Sequence, residues 1–411
     1  MCAVILAKKI FFCTSYFCCL LDCLKVPSYV RKVMDFKNQV AIVGIGETEY
    51  SRSSGRSELE LSIEAILAAL QDAGIDRNEV DGLMRWSVDT SAEGTIAENL
   101  GIQDLAWFGE ISLAGNVGAA LVTSAAAAIY SGLANVIVIY RGVNGRSGRR
   151  YGRGEVLGQN GRGAAAFSEP FGLLTPQHSL AMTTRRRMFE TGVTSKQFGM
   201  VAVSERMHAN RNPKATFFEK PLTLEEHQNS RLVVDPFHLF DCCLETDGAG
   251  ALVLISAERA RDLKKPVALI RAAAQSGFSK KDFIDTSALK LGPRLWAQAG
   301  LSPSDMDVVQ IYDHFSPFVI FALEDYGFLE RGQGGPFVEE GGLLWNSGGI
   351  PVNTSGGHLS EAYLQGMNHL IEGVRQIRGD STAQVENTIF SFVDTGIGTG
   401  AIILERDGDN G

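Results

Sequence analysis

Two stretches of this chain carry side chains suited to moving protons. One is Tyr312-Asp313-His314-Phe315, and the other is Asn353–His369, NTSGGHLSEAYLQGMNH. The second opens on the turn formers Asn353, Thr354, Ser355, Gly356 and Gly357, then takes on helical character and carries His358, Tyr363 and His369. Paired glycines let a backbone approach a ligand closely, because no Cβ intervenes. A tyrosine hydroxyl has an ordinary pKa of about 10, so service as a base requires a cationic or strongly donating neighbour. His314 and His358 are the nearest such groups along the chain. The plainer reading of Tyr312 and Tyr363 is an amphipathic core residue with its hydroxyl satisfied, and Asp313 could simply fix the ring of His314. A third stretch, Asp394-Thr395-Gly396-Ile397-Gly398-Thr399-Gly400, sets a carboxylate at the head of a glycine turn, where it also suits an Asx-type turn.

Other chemistries find little support. His178, His208, His227 and His238 are scattered without metal-ligand spacing, so no metal site is expected. No G-x-S-x-G elbow, Walker loop or CxxC pair occurs. Gly44-x-Gly46 follows an apolar strand, but Glu49 holds the third glycine position of a dinucleotide fingerprint. The net charge of −9 argues against sequence-independent nucleic-acid binding.

The elements that must position these groups alternate. Val40–Gly46 reads as a strand, Leu59–Ala73 as an amphipathic helix closed by Gly74, Gly118–Ser131 as an alanine-rich buried helix, and Asn135–Tyr140 as a strand. Arg141–Arg153 is a glycine loop with five arginines, suited to a phosphate, to a partner or to solvent. It opens a mixed excursion over 141–240 that includes a basic helix around Arg185–Arg187. The strand Ala251–Ile255 closes a first half at 38–262, and Val267–Ala273 opens a second at 263–408. Residues 73–84, AGIDRNEVDGLM, align without gaps on residues 299–310, AGLSPSDMDVVQ, and Ala125–Tyr140 has a counterpart in Gly366–Val393. A repeat offset of half a chain implies a duplicated α/β unit, and the buried helices imply five layers, α/β/α/β/α.

Five of the seven cysteines lie in the first 23 residues, and Cys242-Cys243 cannot easily pair with each other. The fold therefore has no disulfide framework, which suits the cytoplasm. The apolar run Ile10–Leu21 is too short to span a membrane comfortably, and residues 1–37 read as an extension outside the fold, with Met34 as the simpler start.

From Gln39 to Arg406 the chain resembles the thiolase superfamily. The duplicated halves, Asp247-Gly248-Ala249, the Asn353…Gly356-Gly357 turn and the last glycine turn all stand in family order. It looks closest to the branch of the sterol carrier protein X thiolase domain and the bacterial lipid-transfer proteins. The departures matter more. Ser112–Ala120, SLAGNVGAA, lacks the family's nucleophilic cysteine, the second family cysteine falls on Asp394, and two family histidines fall on Tyr312 and Tyr363. Without a thiol no acyl-enzyme forms by the thiolase route.

Two tyrosines in those places resemble the lipid-transfer-protein aldolases that cleave steroid side chains. That resemblance implies retro-aldol cleavage of a β-hydroxy acyl-CoA thioester to a 17-ketosteroid and propionyl-CoA, with no cofactor beyond the CoA of the substrate. Tyr312 is the expected base and Tyr363 the acid or enolate-side donor, or the two in reverse order, with His314 and Asp394 as further catalytic groups. Asn353, Gly356, Gly357, His358, Gly396 and Gly398 are expected to bind substrate, the glycine N–H groups forming an oxyanion hole. A homodimer and an OB-fold, acyl-CoA-associated partner are implied as well. The competing expectations are a non-catalytic lipid or acyl-CoA carrier and another acyltransferase on the same fold.

Overall fold

The computed structural model describes residues 36–112, 115–148, 150, 165–263, 265–277 and 282–408. The cysteine-rich leader to residue 35, and Arg149 and Arg153 of the arginine loop, lie outside the described residues. Phe36, set outside the fold by its sequence, packs against the central core.

Strand β1 (Val40–Glu47) carries Gly44 and Gly46 under helix α1 (Glu58–Ala73). A Cβ at either glycine would strike the α1 backbone at Ala65 or Ala69, so the pair serves helix–strand packing. Ser57 and Glu60 cap α1 reciprocally, and Gly74 ends it at φ 67°. The first half continues through β2 (Gly82–Trp86), α2 (Glu93–Leu100), β3 (Trp107–Ile111), α3 (Gly118–Tyr130) and β4 (Ile137–Asn144). An excursion bearing α4 (Pro176–Thr191) and α5 (Ser195–Ala209) precedes β5 (Asp247–Ser256). The second half comprises β6 (Ala268–Gln275), α6 (Ala288–Ala299), β7 (Val308–Gln310), α7 (Pro317–Asp325), α8 (Met367–Arg378), β8 (Phe390–Asp394) and β9 (Gly400–Arg406).

The strands form a nine-stranded sheet in the order β3-β2-β4-β5-β1-β6-β9-β8-β7. The order is a mirror. β2 and β4 run parallel and β4, β5 and β1 antiparallel, while β7 and β8 run parallel and β8, β9 and β6 antiparallel. Within the sheet, the described strands of the two halves pair where Ala41 and Ile42 meet Leu269 and Ala268. The sequence repeat explains the mirror locally. Gly74 and Gly300 end α1 and α6 at φ 67° and 66°, and a 3-10 turn leads from each into β2 and β7.

Side-chain alternation along the strands sorts the core into layers. Ala65, Ile66 and Ala69 of α1 cover Val43, Val138 and Val253 on one outer face. Leu291 and Leu295 of α6, with Val319 and Leu323 of α7, cover Ala272, Val309 and Ile403 on the other. Between the halves, Leu121 and Val122 of α3 and Leu370 and Val374 of α8 meet Ile42, Ile139 and Leu254 from one side and Ile270, Ile402 and Leu404 from the other. That is the five-layered α/β/α/β/α arrangement.

Two arginines of the stretch read as an excursion are buried. Arg141 lies in β4, buried against Asp89 and donating Nε–H to Gln365 Oε1 at 2.8 Å. Arg187 is fully buried and bridges Glu324 and Asp325 at 2.7 and 2.8 Å. A buried cation requires such partners, because desolvation is costly.

Candidate active site

β7 ends at Gln310, and the chain runs on through Ile311 and Tyr312 to α7. Asn353 holds this run in place. Its own N–H donates to Val309 O (3.1 Å), its Oδ1 accepts from Ile311 N–H (2.8 Å), and its Nδ2 donates to Ile311 O (3.0 Å) and Glu205 Oε1 (2.8 Å). The side chain thus prolongs a strand ladder past the end of the strand. Asn353 sits at φ 53°, a left-handed conformation that asparagine tolerates better than most residues.

Tyr363 follows a single π-helical turn, Gly357–Glu361. Gly356 and Gly357 adopt φ 109° and 57°, and a Cβ there would strike Ala209 of α5 and the Asp313 carboxylate respectively. Their smallness serves internal packing. Glu361 holds the turn from within by accepting from Ser355 Oγ (2.7 Å), Asn212 Nδ2 (3.0 Å) and Asn368 Nδ2 (3.1 Å). Thr246 fixes the backbone beyond it, Tyr363 N–H donating to its Oγ1 at 3.0 Å. The two halves of this construction bring the Tyr312 and Tyr363 hydroxyls 2.9 Å apart, in hydrogen-bond contact.

Behind Tyr312 lies a buried network. His369 Nε2 comes within 2.8 Å and His358 Nδ1 within 3.3 Å of Asp313 Oδ1. Neither approach is aligned as a hydrogen bond, so we treat both as electrostatic contacts. Burial opposes ionisation of Asp313, but the two imidazoles outweigh it and hold the carboxyl below its usual range. Burial, then the charge of Asp313, pushes the Glu205 carboxyl well above its usual range.

Asp313, His358 and His369 are of metal-ligand type and lie close together. The hydrogen bonding does not fit a metal. Gly366 N–H donates to His358 Nε2 at 3.0 Å, which leaves the ring hydrogen on Nδ1, the atom facing Asp313. Burial, and then His369, holds the His358 pKa well below normal. That shift disfavours His358 as a cation beside Tyr312. Its ring meets Tyr312 edge to face, at 4.7 Å between centroids. His314 packs its ring on Tyr312 and Phe318, at 5.3 and 4.7 Å.

Asp394 is the Asx-type turn former. Its Oδ2 accepts from Gly396 N–H (3.2 Å) and Ile397 N–H (2.7 Å), and its Oδ1 from Gly398 N–H (2.8 Å) and Tyr326 Oη (2.7 Å). Burial raises its pKa and these donors work against that rise. The N–H groups of Gly396 and Gly398 are thereby occupied, as is that of Gly356, which donates to Asn353 O at 2.9 Å. These three do not form the expected oxyanion hole.

Two cavities, of about 810 and 640 Å³, share Pro176, His314 and Tyr363 in their walls. The larger adds Tyr312, Asn116, Gln365, Gly396 and Phe318. The smaller is basic, with Arg52, Arg146, Arg150 and Arg231 beside Phe217 and Phe240. Asp247 orients the arginine loop, accepting from the N–H groups of Arg146 (2.9 Å) and Ser147 (3.0 Å). Arg150 is itself paired with Glu245. Asn353, Gly356, Gly357, His358, Asp394 and Gly398 line neither cavity. Their places are behind the walls. Arg146 was visible in the sequence as part of an arginine loop, whereas Arg231 and Thr246 carry no local signal.

A mirrored, five-layered α/β/α/β/α scaffold whose cavities meet at paired hydroxyls defines a thiolase-fold protein. A family model described as "Thiolase C-terminal domain-like" matches residues 271–403. The "Steroid side-chain-cleaving aldolase" of Thermomonospora curvata is 47% identical over 89% of this chain and 98% of its own length. The "17-hydroxy-3-oxo-4-pregnene-20-carboxyl-CoA lyase" of Mycobacterium tuberculosis is 45% identical over 89% of this chain and 99% of its own. Among solved structures, the "Ltp2-ChsH2(DUF35) aldolase" superposes with a TM-score of 0.85 at 44% identity, covering 91% of this chain and 99% of that one. The chain belongs to the thiolase superfamily, in the branch of the steroid side-chain-cleaving aldolases.

Proposed function

We propose that the protein cleaves a β-hydroxy acyl-CoA thioester on a steroid side chain by a retro-aldol reaction, releasing a 17-ketosteroid and propionyl-CoA. The observation that carries this reading is the 2.9 Å contact between Tyr312 and Tyr363 where the two cavities meet. The basic cavity suits the phosphates of CoA, and the larger one suits the steroid nucleus. Tyr312 borders only the larger cavity and is the base on the β-hydroxyl, whereas Tyr363 borders both and is the acid at the α-carbon.

The base, as tyrosinate, takes the hydroxyl proton. The new carbonyl expels the Cα–Cβ electron pair onto the thioester as an enolate, and Tyr363 protonates Cα. A proton passing from Tyr312 to Tyr363 along their shared hydrogen bond restores both groups. This route calls for no nucleophile, metal or redox cofactor. A tyrosinate at Tyr312 is supported by the Tyr363 hydroxyl, which lies within hydrogen-bond distance and can donate to it.

The reading extends to an OB-fold, acyl-CoA-associated partner, a homodimer and a cytoplasmic location. The similar solved structure carries a DUF35 component in its title. Phe167, Phe171 and Phe189 of this chain are 82%, 81% and 83% exposed, apolar side chains open to a partner. Strand β3 ends the sheet with an open edge and an exposed Phe108, which suits a second copy. Among the described residues no helix is long and apolar enough to cross a membrane.

The test is chromatography of ketosteroid and propionyl-CoA released by the protein co-expressed with its OB-fold partner. Tyr312→Phe and Tyr363→Phe run beside wild type and are each expected to lose about 10²-fold or more in kcat with the fold intact. A well-folded complex that binds steroid thioesters of several side-chain lengths and cleaves none would refute the reading and leave a carrier.

A further inference from the structure

The proposed reaction builds negative charge on the thioester oxygen, and something must donate to it. Around the glycine turn the backbone donors are committed. Gly396, Ile397 and Gly398 donate to Asp394, Thr395 N–H to Gly400 O (3.1 Å), and Ala119 N–H to Thr395 Oγ1 (2.7 Å). Among the cavity side chains, Gln365 is fixed by Arg141, and the Thr399 hydroxyl donates to the backbone carbonyl of Asn116.

Asn116 stands apart. It borders the larger cavity together with Tyr312 and Tyr363, two residues ahead of α3. Its Oδ1 is buried and has no hydrogen-bond partner among the described residues. Its backbone, by contrast, is held from two sides. Thr399 bonds its carbonyl, and the glycine turn lies so close that a Cβ at Gly396 would strike Asn116 O and Cβ. The result is a fixed main chain presenting a carboxamide whose hydrogen-bonding capacity is unfilled. A buried polar group of that kind is satisfied by what enters the cavity.

We infer that Asn116 is a catalytic residue whose Nδ2–H donates to the thioester oxygen of the bound substrate. As the Cα–Cβ bond breaks, its electron pair passes through Cα onto that oxygen, and the Asn116 amide stabilises the enolate. When Tyr363 delivers its proton to Cα, the pair returns to form the C–H bond and the oxygen is a carbonyl again. The oxygen and nitrogen of a carboxamide are nearly alike in size, so a half-turn about the Cβ–Cγ bond puts Nδ2 in the place of Oδ1.

The inference rests on the retro-aldol reading, and two reactions of the intact complex separate them. One is cleavage of the steroid thioester. The other is exchange of the α-hydrogens of propionyl-CoA in D2O, followed by mass spectrometry, which needs the enolate but no steroid. Asn116→Ala and the isosteric Asn116→Asp are expected to lose about 10²-fold or more in kcat for both reactions, with KM and the melting curve near wild type. Near-wild-type rates in a folded Asn116→Ala complex overturn the inference. So does loss of cleavage with exchange retained, since Asn116 would then serve the steroid. Wild type that neither cleaves nor exchanges sinks the retro-aldol reading itself, whatever the variants do.

Discussion

Removing the Asn353 side chain separates two roles that its sequence context cannot tell apart. If Asn353 binds substrate, its loss raises KM. If it anchors Ile311 and hence Tyr312, its loss lowers stability and kcat and leaves KM alone. Asn353→Gly is the cleaner perturbation, because glycine accepts the φ of 53° without strain. The change opens three buried groups: Ile311 N–H, Ile311 C=O and a Glu205 carboxyl oxygen. Each orphaned group costs about 1–3 kcal/mol, and water entering the vacated space recovers part of it, so a net loss of about 3–5 kcal/mol is expected. Asn353→Ala adds about 1 kcal/mol for a Cβ in the left-handed region. The assay is urea unfolding together with steady-state cleavage by the complex. We expect kcat to fall about tenfold or more while KM changes little, because Asn353 lines neither cavity. A variant within about 1 kcal/mol of wild type, or one that raises KM at constant kcat, refutes the anchoring argument.

Two further outcomes follow from the same geometry. Glu361 is pushed up to about 8, first by burial and then by the charge of Glu47, so it is protonated in the fold. The unfolded chain then binds fewer protons than the folded one between 4.5 and about 8, and stability falls as pH rises through that window. Glu361→Gln removes this contribution, and an unchanged slope of melting temperature against pH would contradict it. Arg146→Ala and Arg231→Ala are each expected to raise KM for the CoA thioester about fivefold with kcat preserved. The wild-type KM should climb with salt, as charge screening demands, whereas a salt-independent KM untouched by either change removes CoA from the basic cavity.

How far the sequence reaches depends on the distance over which each feature is determined. The duplication was legible because its signal is local: a helix, an αL glycine and a 3-10 turn occur in both copies within a dozen residues. Asp394 was legible as a turn former for the same reason, its acceptors and donors lying within four residues apart from Tyr326. The tyrosine pair was reached only through family resemblance, and nothing local sets its 2.9 Å separation. The anchoring bonds of Asn353 reach Ile311, 42 positions away, and the ion pair of Arg187 reaches Glu324, 137 away. Such long-range partners leave no trace in spacing.

The glycines teach the same lesson in reverse. A paired glycine signals close approach, but the sequence does not say to what. Gly44 and Gly46 admit a helix, Gly356 admits α5, and Gly357 admits the Asp313 carboxylate. In each case the body approached is part of the chain. Gly356 and Gly357 thus draw the supporting elements of the site together. The close packing behind the walls constrains the backbone, and the side chains facing the cavities remain free to change.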